Sequence, residues 1–190
     1  MEQAHLLQQL EDPSVSHLGH IIGYFGNDYK FWIRELATMP VHVNWYNEPP
    51  RVSHFVFKQP IAEEFLQNDA KVRYQRFLAQ SDLEWDAGIA TFPTSFPEVL
   101  LGIRPDQRIF CYTPFLANIF QQLFPTIKVF DIQDLEPINI MDYPSENWRC
   151  PYPLHNPRPS KCVMTKLSRM YNWFYTEPDS QESDEYDIES

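Results

Sequence analysis

"DQRIFCYTPFLANIFQQLFPTIKVFDI", residues 106–132, decides the fold class. "DQRIFCYT" is an apolar, strand-forming run. "PFLANIFQQLF" carries Pro114 in its first turn, where a missing N–H is harmless, and reads as a helix. "IKVFDI" is strand-like again. A strand, a helix and a strand this close together predict a parallel βαβ unit, because parallel neighbours need a crossover between them.

Upstream, residues 17–60 read as strands. "HIIGYF" is apolar and β-rich, and "GND" is a turn signal. "KFWIRELATM" alternates Phe31, Ile33 and Glu35 against Trp32, Arg34 and Leu36. "VHVNWY" and "VSHFVFKQP" alternate as well, so three or four strands form an antiparallel meander. After Pro60 the period changes. "IAEEFLQNDAKVRYQRFLAQ" is helical with a break near "QND", "SDLEWDAGIA" is a loop, and "SFPEVLLGI" is a short helix. At the far end, Ser160 caps a last helix whose apolar stripe is Val163, Leu167, Met170, Tyr171 and Phe174. The predicted class is α/β: a mixed sheet, an antiparallel meander followed by parallel strands, flanked by helices.

The chain has 190 residues, with hydrophobic residues at 43% and aromatics at 15%, enough for one globular core. We divide it into an N-terminal arm (1–17), a folded domain (18–175) and an acidic tail (176–190). Net charge is −11, and seven acids with no Lys or Arg lie in 176–190, leaving about −4 for the rest. Such a tail is predicted to be solvated and disordered. No apolar run is long enough for a membrane span. The start, "MEQAHLLQQLEDPSVSH", lacks the pattern of a secretory signal. With three cysteines and no signal, an intracellular setting, nuclear or cytoplasmic, is expected. Arg149, Arg158, Lys161, Lys166 and Arg169 cluster in sequence and make a candidate basic patch for nucleic acid.

"RCPYPLHNPRPSKC", residues 149–162, places Cys150, His155 and Cys162 at C-x4-H-x6-C spacing. Zinc favours thiolate and imidazole donors. The prolines keep the loop from becoming helix or strand, and Cys162 stands where a helix dipole favours a thiolate. Two readings fit the spacing: a metal clip joining loop to helix, or two buried apolar thiols and a loop histidine. Cys111, in "RIFCYT", reads as core. His17, His20, His42 and His54 scatter through the meander without ligand spacing and read as satisfied or surface histidines.

The element order resembles the RNase H-like fold. "FWIRELATMP", "RCPYPLH" and "KCVMTKLSRMYNWF" resemble stretches of the Maelstrom domain of the Piwi-interacting RNA pathway, and of Maelstrom-like insect and viral proteins. That family has an RNase H-like fold of the DEDD exonuclease type without the catalytic carboxylates, and holds zinc through Glu, Cys, His and Cys. The resemblance spans roughly 18–175. It implies a zinc site of Glu35, Cys150, His155 and Cys162. It also implies binding of RNA or a protein partner in a silencing or processing assembly. Without it, Glu35 also reads as a solvent-facing strand residue paired with Arg34 or a neighbour. Sharing a face with Phe31 and Ile33 favours the ligand role, since a carboxylate buried among apolar groups needs a partner.

Nuclease chemistry of the DEDD kind needs four carboxylates holding two divalent ions. His20 and Ile22 stand where the first strand's acids would be, and the last helix has none. Asp82, Glu84 and Asp86, and Asp131 and Asp134, read as surface or capping acids; Asp131 is placed to cap the turn after its strand. No catalytic residue is assigned. The alternatives are a protein-interaction module with an acidic tail, and a single-stranded RNA nuclease with a non-standard site. No small-molecule substrate is evident: five glycines form no phosphate loop, and there is no G-x-S-x-G elbow.

Overall fold

The computed structural model describes residues 16–41, 52–93, 102–135, 137–146 and 161–175. The elements are β1 (Ser16–Phe25), β2 (Phe31–Pro40), β3 (Ser53–Lys58), α1 (Asn68–Ser81), β4 (Ala90–Thr91), β5 (Arg108–Cys111), α2 (Pro114–Leu123), β6 (Lys128–Asp131), α3 (Ile132–Leu135) and α4 (Val163–Tyr175). Among the described residues the sheet order is β4-β3-β2-β1-β5-β6. β1, β2 and β3 pair antiparallel; β5 joins β1, and β6 joins β5, in parallel. The expected mixed sheet flanked by helices is present.

The βαβ unit forms as its residues require. Thr113 heads α2 and its Oγ1 accepts from Leu116 N at 3.3 Å, with Pro114 in the first turn. Asp131 closes β6, and its Oδ1 accepts from Thr113 N at 3.1 Å and Gln133 N at 3.0 Å. The expected cap is there, and it also ties β6 to the start of α2.

Three apolar clusters fill the two sides of the sheet. α2 covers one side, with Leu116, Phe120 and Phe124 packed on Ile21, Ile33, Leu36, Ile109 and Cys111. α4 covers part of the other, with Leu167, Met170, Trp173 and Phe174 against Leu18, Ala37, Met39 and Phe110. α1 covers the rest of that side, with Tyr74 and Phe77 against Tyr24 and Val56. Cys111 is fully buried, as a core thiol should be. Ile22 touches the clusters under both α4 and α1, so the two helices share a face.

Several expectations change. The register of β1 with β2 shifts between Ile22 and Gly23: Ile22 faces Glu35, Gly23 faces Ile33, and Arg34 is the extra residue of a β-bulge. The bulge breaks the simple alternation of "KFWIRELATM". Ile33 therefore lies under α2, and Phe31 packs against that same cluster, whereas Glu35 is on the α4 side. The helix expected from residue 61 starts at Asn68, preceded by a short 3-10 turn at Glu63–Phe65. Asn27 holds that segment open: its Oδ1 accepts from Gln67 N and its Nδ2 donates to Phe65 O, both at 2.9 Å. Ser16 and His17, assigned to the arm, belong to β1: Ser16 pairs with Arg108 of β5, and His17 with Pro40 of β2 and Ile109 of β5. Ala90, read as loop, forms with Thr91 a short parallel strand beside β3. Most of "VHVNWY", most of "SFPEVLLGI", and Ser160 lie outside the described residues, as does the tail. No helix among the described residues is long and apolar enough to cross a membrane.

Candidate metal centre

The bulge at Arg34 turns Glu35 toward the head of α4. Its side chain is completely buried. On the adjacent strand His54 pairs with Ala37, one diagonal step from Glu35, and its side chain is 2% exposed. His54 Nε2 lies 2.5 Å from Glu35 Oε1. Cys162 comes from far along the chain, and its Sγ lies 3.6 Å from the same carboxylate oxygen. Met164 N donates to that sulfur at 3.5 Å, so the first turn of α4 points backbone N–H at it. One donor atom from each of Glu35, His54 and Cys162 falls within 4.8 Å of the others, close enough to hold a single ion. Among the described residues no other His, Cys, Asp and Glu side chains gather this way.

Oxygen, nitrogen and sulfur donors, one of each, suit a borderline-soft divalent ion. One distance refines the fit. Two ligands of a tetrahedral zinc stand about 3.3 Å apart, because zinc–nitrogen and zinc–oxygen bonds are about 2.0–2.2 Å. His54 Nε2 and Glu35 Oε1 lie within hydrogen-bonding reach, and the same two groups can also serve one ion together with Cys162. When hydrogen-bonded, His54 holds the carboxylate in place, as carboxylate–histidine pairs do around metal ligands.

Of the residues singled out from sequence, Glu35 and Cys162 meet. Cys150 and His155 lie outside the described residues, as do Arg149 and Arg158. His54 is the member that linear spacing missed. It is satisfied, as expected, but by Glu35 itself. Only the pairing of β3 with β2 brings it there; an alternating "SHFVF" next to a strand with a buried acid was the sole available signal.

The cations of the suspected patch are placed individually. Lys161 Nζ pairs with Asp82 Oδ1 at 2.9 Å and also donates to Ala79 O. Arg169 Nη1 donates to Met141 O at 2.9 Å and to Tyr143 O. Lys166 is half-buried, and desolvation, helped by the nearby Arg169 charge, holds its ammonium below the usual lysine range. His20 is buried on β1; burial, reinforced by Lys166 and opposed by Glu35, drops it to about 3, so it is neutral. Trp173 and Phe174 are core, while Tyr175 is half-exposed and donates to Val41 O.

No model of a known protein family, no curated protein and no solved structure matches this chain.

Proposed function

We propose that the chain is a zinc-stabilised, catalytically degenerate RNase H-like domain. It works by gripping RNA or a protein within an intracellular silencing or processing assembly. The observation that carries the reading is the convergence of Glu35 and Cys162, 3.6 Å apart although 127 positions separate them. These are two of the four ligands that the resemblance implies. The mixed sheet, with its antiparallel meander and parallel strands, agrees with the same resemblance. Zinc at this place ties β2 to the head of α4 and closes the domain; structural zinc contributes on the order of 10 kcal/mol of apparent free energy. His20 and Ile22 on β1, and the acid-free α4, support binding in place of two-metal cleavage.

Elemental analysis of the purified protein tests the metal. About one zinc per chain is expected, lost in Glu35→Gln and Cys162→Ser; no zinc in the wild type ends the reading. Filter binding to single-stranded RNA across a salt series tests the partner. Affinity that falls with salt identifies RNA, and no affinity leaves a protein as the partner.

A further inference from the structure

The parallel ladder of β1 with β5 stops at Leu18 opposite Phe110. β1 continues to Phe25, so His20–Gly23 run past the end of β5. β5 leads into α2 on one side of the sheet, while α1 and α4 cover the other. A cleft of 570 Å³ opens there, at the carboxyl end of β5 where chain directions diverge. Open α/β sheets bind ligands at such points, in cavities of about 300–1,000 Å³.

The lining chemistry selects the ligand. Lys161, Lys166 and His20 line the cleft, and among the described residues its lining holds no carboxylate, in a chain whose net charge is −11; Asp82 stands just outside it, paired with Lys161 at 2.9 Å. Lys166 Nζ has Met141 Sδ, 3.3 Å away, as its polar contact among the described residues. A thioether is a poor partner for a half-buried ammonium. His20 is 9% exposed, and its buried Nδ1 has no hydrogen-bond partner among the described residues. Both groups call for an acceptor or an anion. Beside them stand ring faces. Phe31 and Phe115 line the cleft, 5.1 Å apart edge to face. Phe25 completes the trio at 5.3 Å from Phe31 and 5.7 Å from Phe115. Phe115 is 44% exposed and Phe25 38%, unusual for phenylalanines that contact one another.

We infer that this cleft binds a nucleotide unit of a single-stranded polynucleotide. Its base lies on Phe115 and Phe31, and its phosphate meets Lys166 and His20, with Lys161 at the rim. The inference rests on the binding reading above and commits it to nucleic acid. Cation and ring in one groove is the usual grip on single strands, which needs no base-specific contact. Among the described residues the lining offers cations and a ring nitrogen to the phosphate, and direct contact with Lys166 and His20 is the grip inferred.

Fluorescence anisotropy with labelled single-stranded RNA and DNA oligonucleotides tests this on the full chain. Phe115→Ala should weaken binding by about 5- to 150-fold, the usual loss for one stacked base. Lys166→Gln should weaken it and reduce the slope of log affinity against log salt by about 1. Lys128→Ala, at the exposed start of β6 and outside the cleft lining, should change nothing. Binding should need no magnesium, and added magnesium should only weaken it as a competing counterion does. RNA and DNA arms tell which polynucleotide is preferred. Ultraviolet crosslinking of the wild type, mapped by mass spectrometry to the peptide holding Phe115, serves if either variant fails to fold. Binding unchanged in both variants, a crosslink elsewhere, or a magnesium requirement overturns the cleft while leaving nucleic-acid binding standing. No binding of either oligonucleotide overturns both and leaves a protein as the partner.

Discussion

Arg34 and Glu35 are consecutive, yet both face the side of the sheet covered by α1 and α4. The Arg34 guanidinium lies 6.0 Å from the Phe77 ring centroid, and the Glu35 carboxylate lies 3.6 Å from Cys162 Sγ. Ordinary strand alternation forbids this, and the bulge allows it. The candidate metal centre and the buried arginine are two products of one irregularity in β2.

Removing Gly23 should therefore damage a site that it does not touch. A Cβ there would lie 2.2 Å from Trp32 O and 2.8 Å from Phe31 Cζ, beside the bulge. Gly23→Ala is expected to cost about 1–3 kcal/mol in urea unfolding, as overpacking does. It should also lower zinc affinity, measured by competition with a chromogenic chelator, because the strand that aims Glu35 must shift.

Changing His54 should weaken the metal without abolishing it. His54→Ala is expected to lower zinc affinity by about 10- to 100-fold, the usual cost of losing a ligand's hydrogen-bond partner. Cobalt substitution separates the roles. If His54 only orients Glu35, the thiolate-to-cobalt absorption keeps its shape in the variant. A changed ligand field would make His54 a direct ligand.

Arg34 is completely buried. It donates to Phe57 O at 2.7 Å, Glu84 O at 3.0 Å and Ala87 O at 3.2 Å. It therefore holds β3 and the loop after α1 together. Arg34→Met leaves three carbonyls short of their donor and should cost about 3 kcal/mol or more. Arg34→Lys should recover little, since an ammonium lacks the planar fork. Chemical denaturation of the two variants measures both effects.

His20 sets an acid limb. Lys166 from α4 and Glu35 from β2 are the charges that face it, and its folded value is about 3 against 6.5 when unfolded. The unfolded chain takes up a proton below about pH 6.5 that the folded chain refuses. The stability this histidine contributes is thus complete above about pH 6.5 and is lost as pH falls toward 3. Between about pH 6 and 4, His20→Asn should flatten the stability slope by up to about 1.4 kcal/mol per pH unit relative to wild type. Parallel slopes would refute the assignment.

Cys111 donates from Sγ to Phe130 O at 3.4 Å. Burial, with Asp131 adding to it, pushes the thiol up to about 12. Thiolate is the reactive form, so iodoacetamide should leave Cys111 unmodified in the native protein and label it in denaturant. Peptide mass mapping reads this directly.

The residues themselves determined the elements of residues 106–132, the meander, the apolar stripe of α4 and the core character of Cys111. Each depends on local periodicity or on a turn residue, and such signals survive in a linear string. Cys162 was singled out by its spacing from Cys150 and His155, and Glu35 through a resemblance. What the string did not contain was the company they keep. His54 reaches Glu35 by strand pairing, Asn27 delays α1 by reaching across to Gln67, and the cleft exists because β1 outruns β5. The face on which Glu35 lies was misread for the same reason. A bulge leaves no mark in the alternation of one strand; it is a mismatch of two strands, set by what packs on both, and only the folded chain decides it.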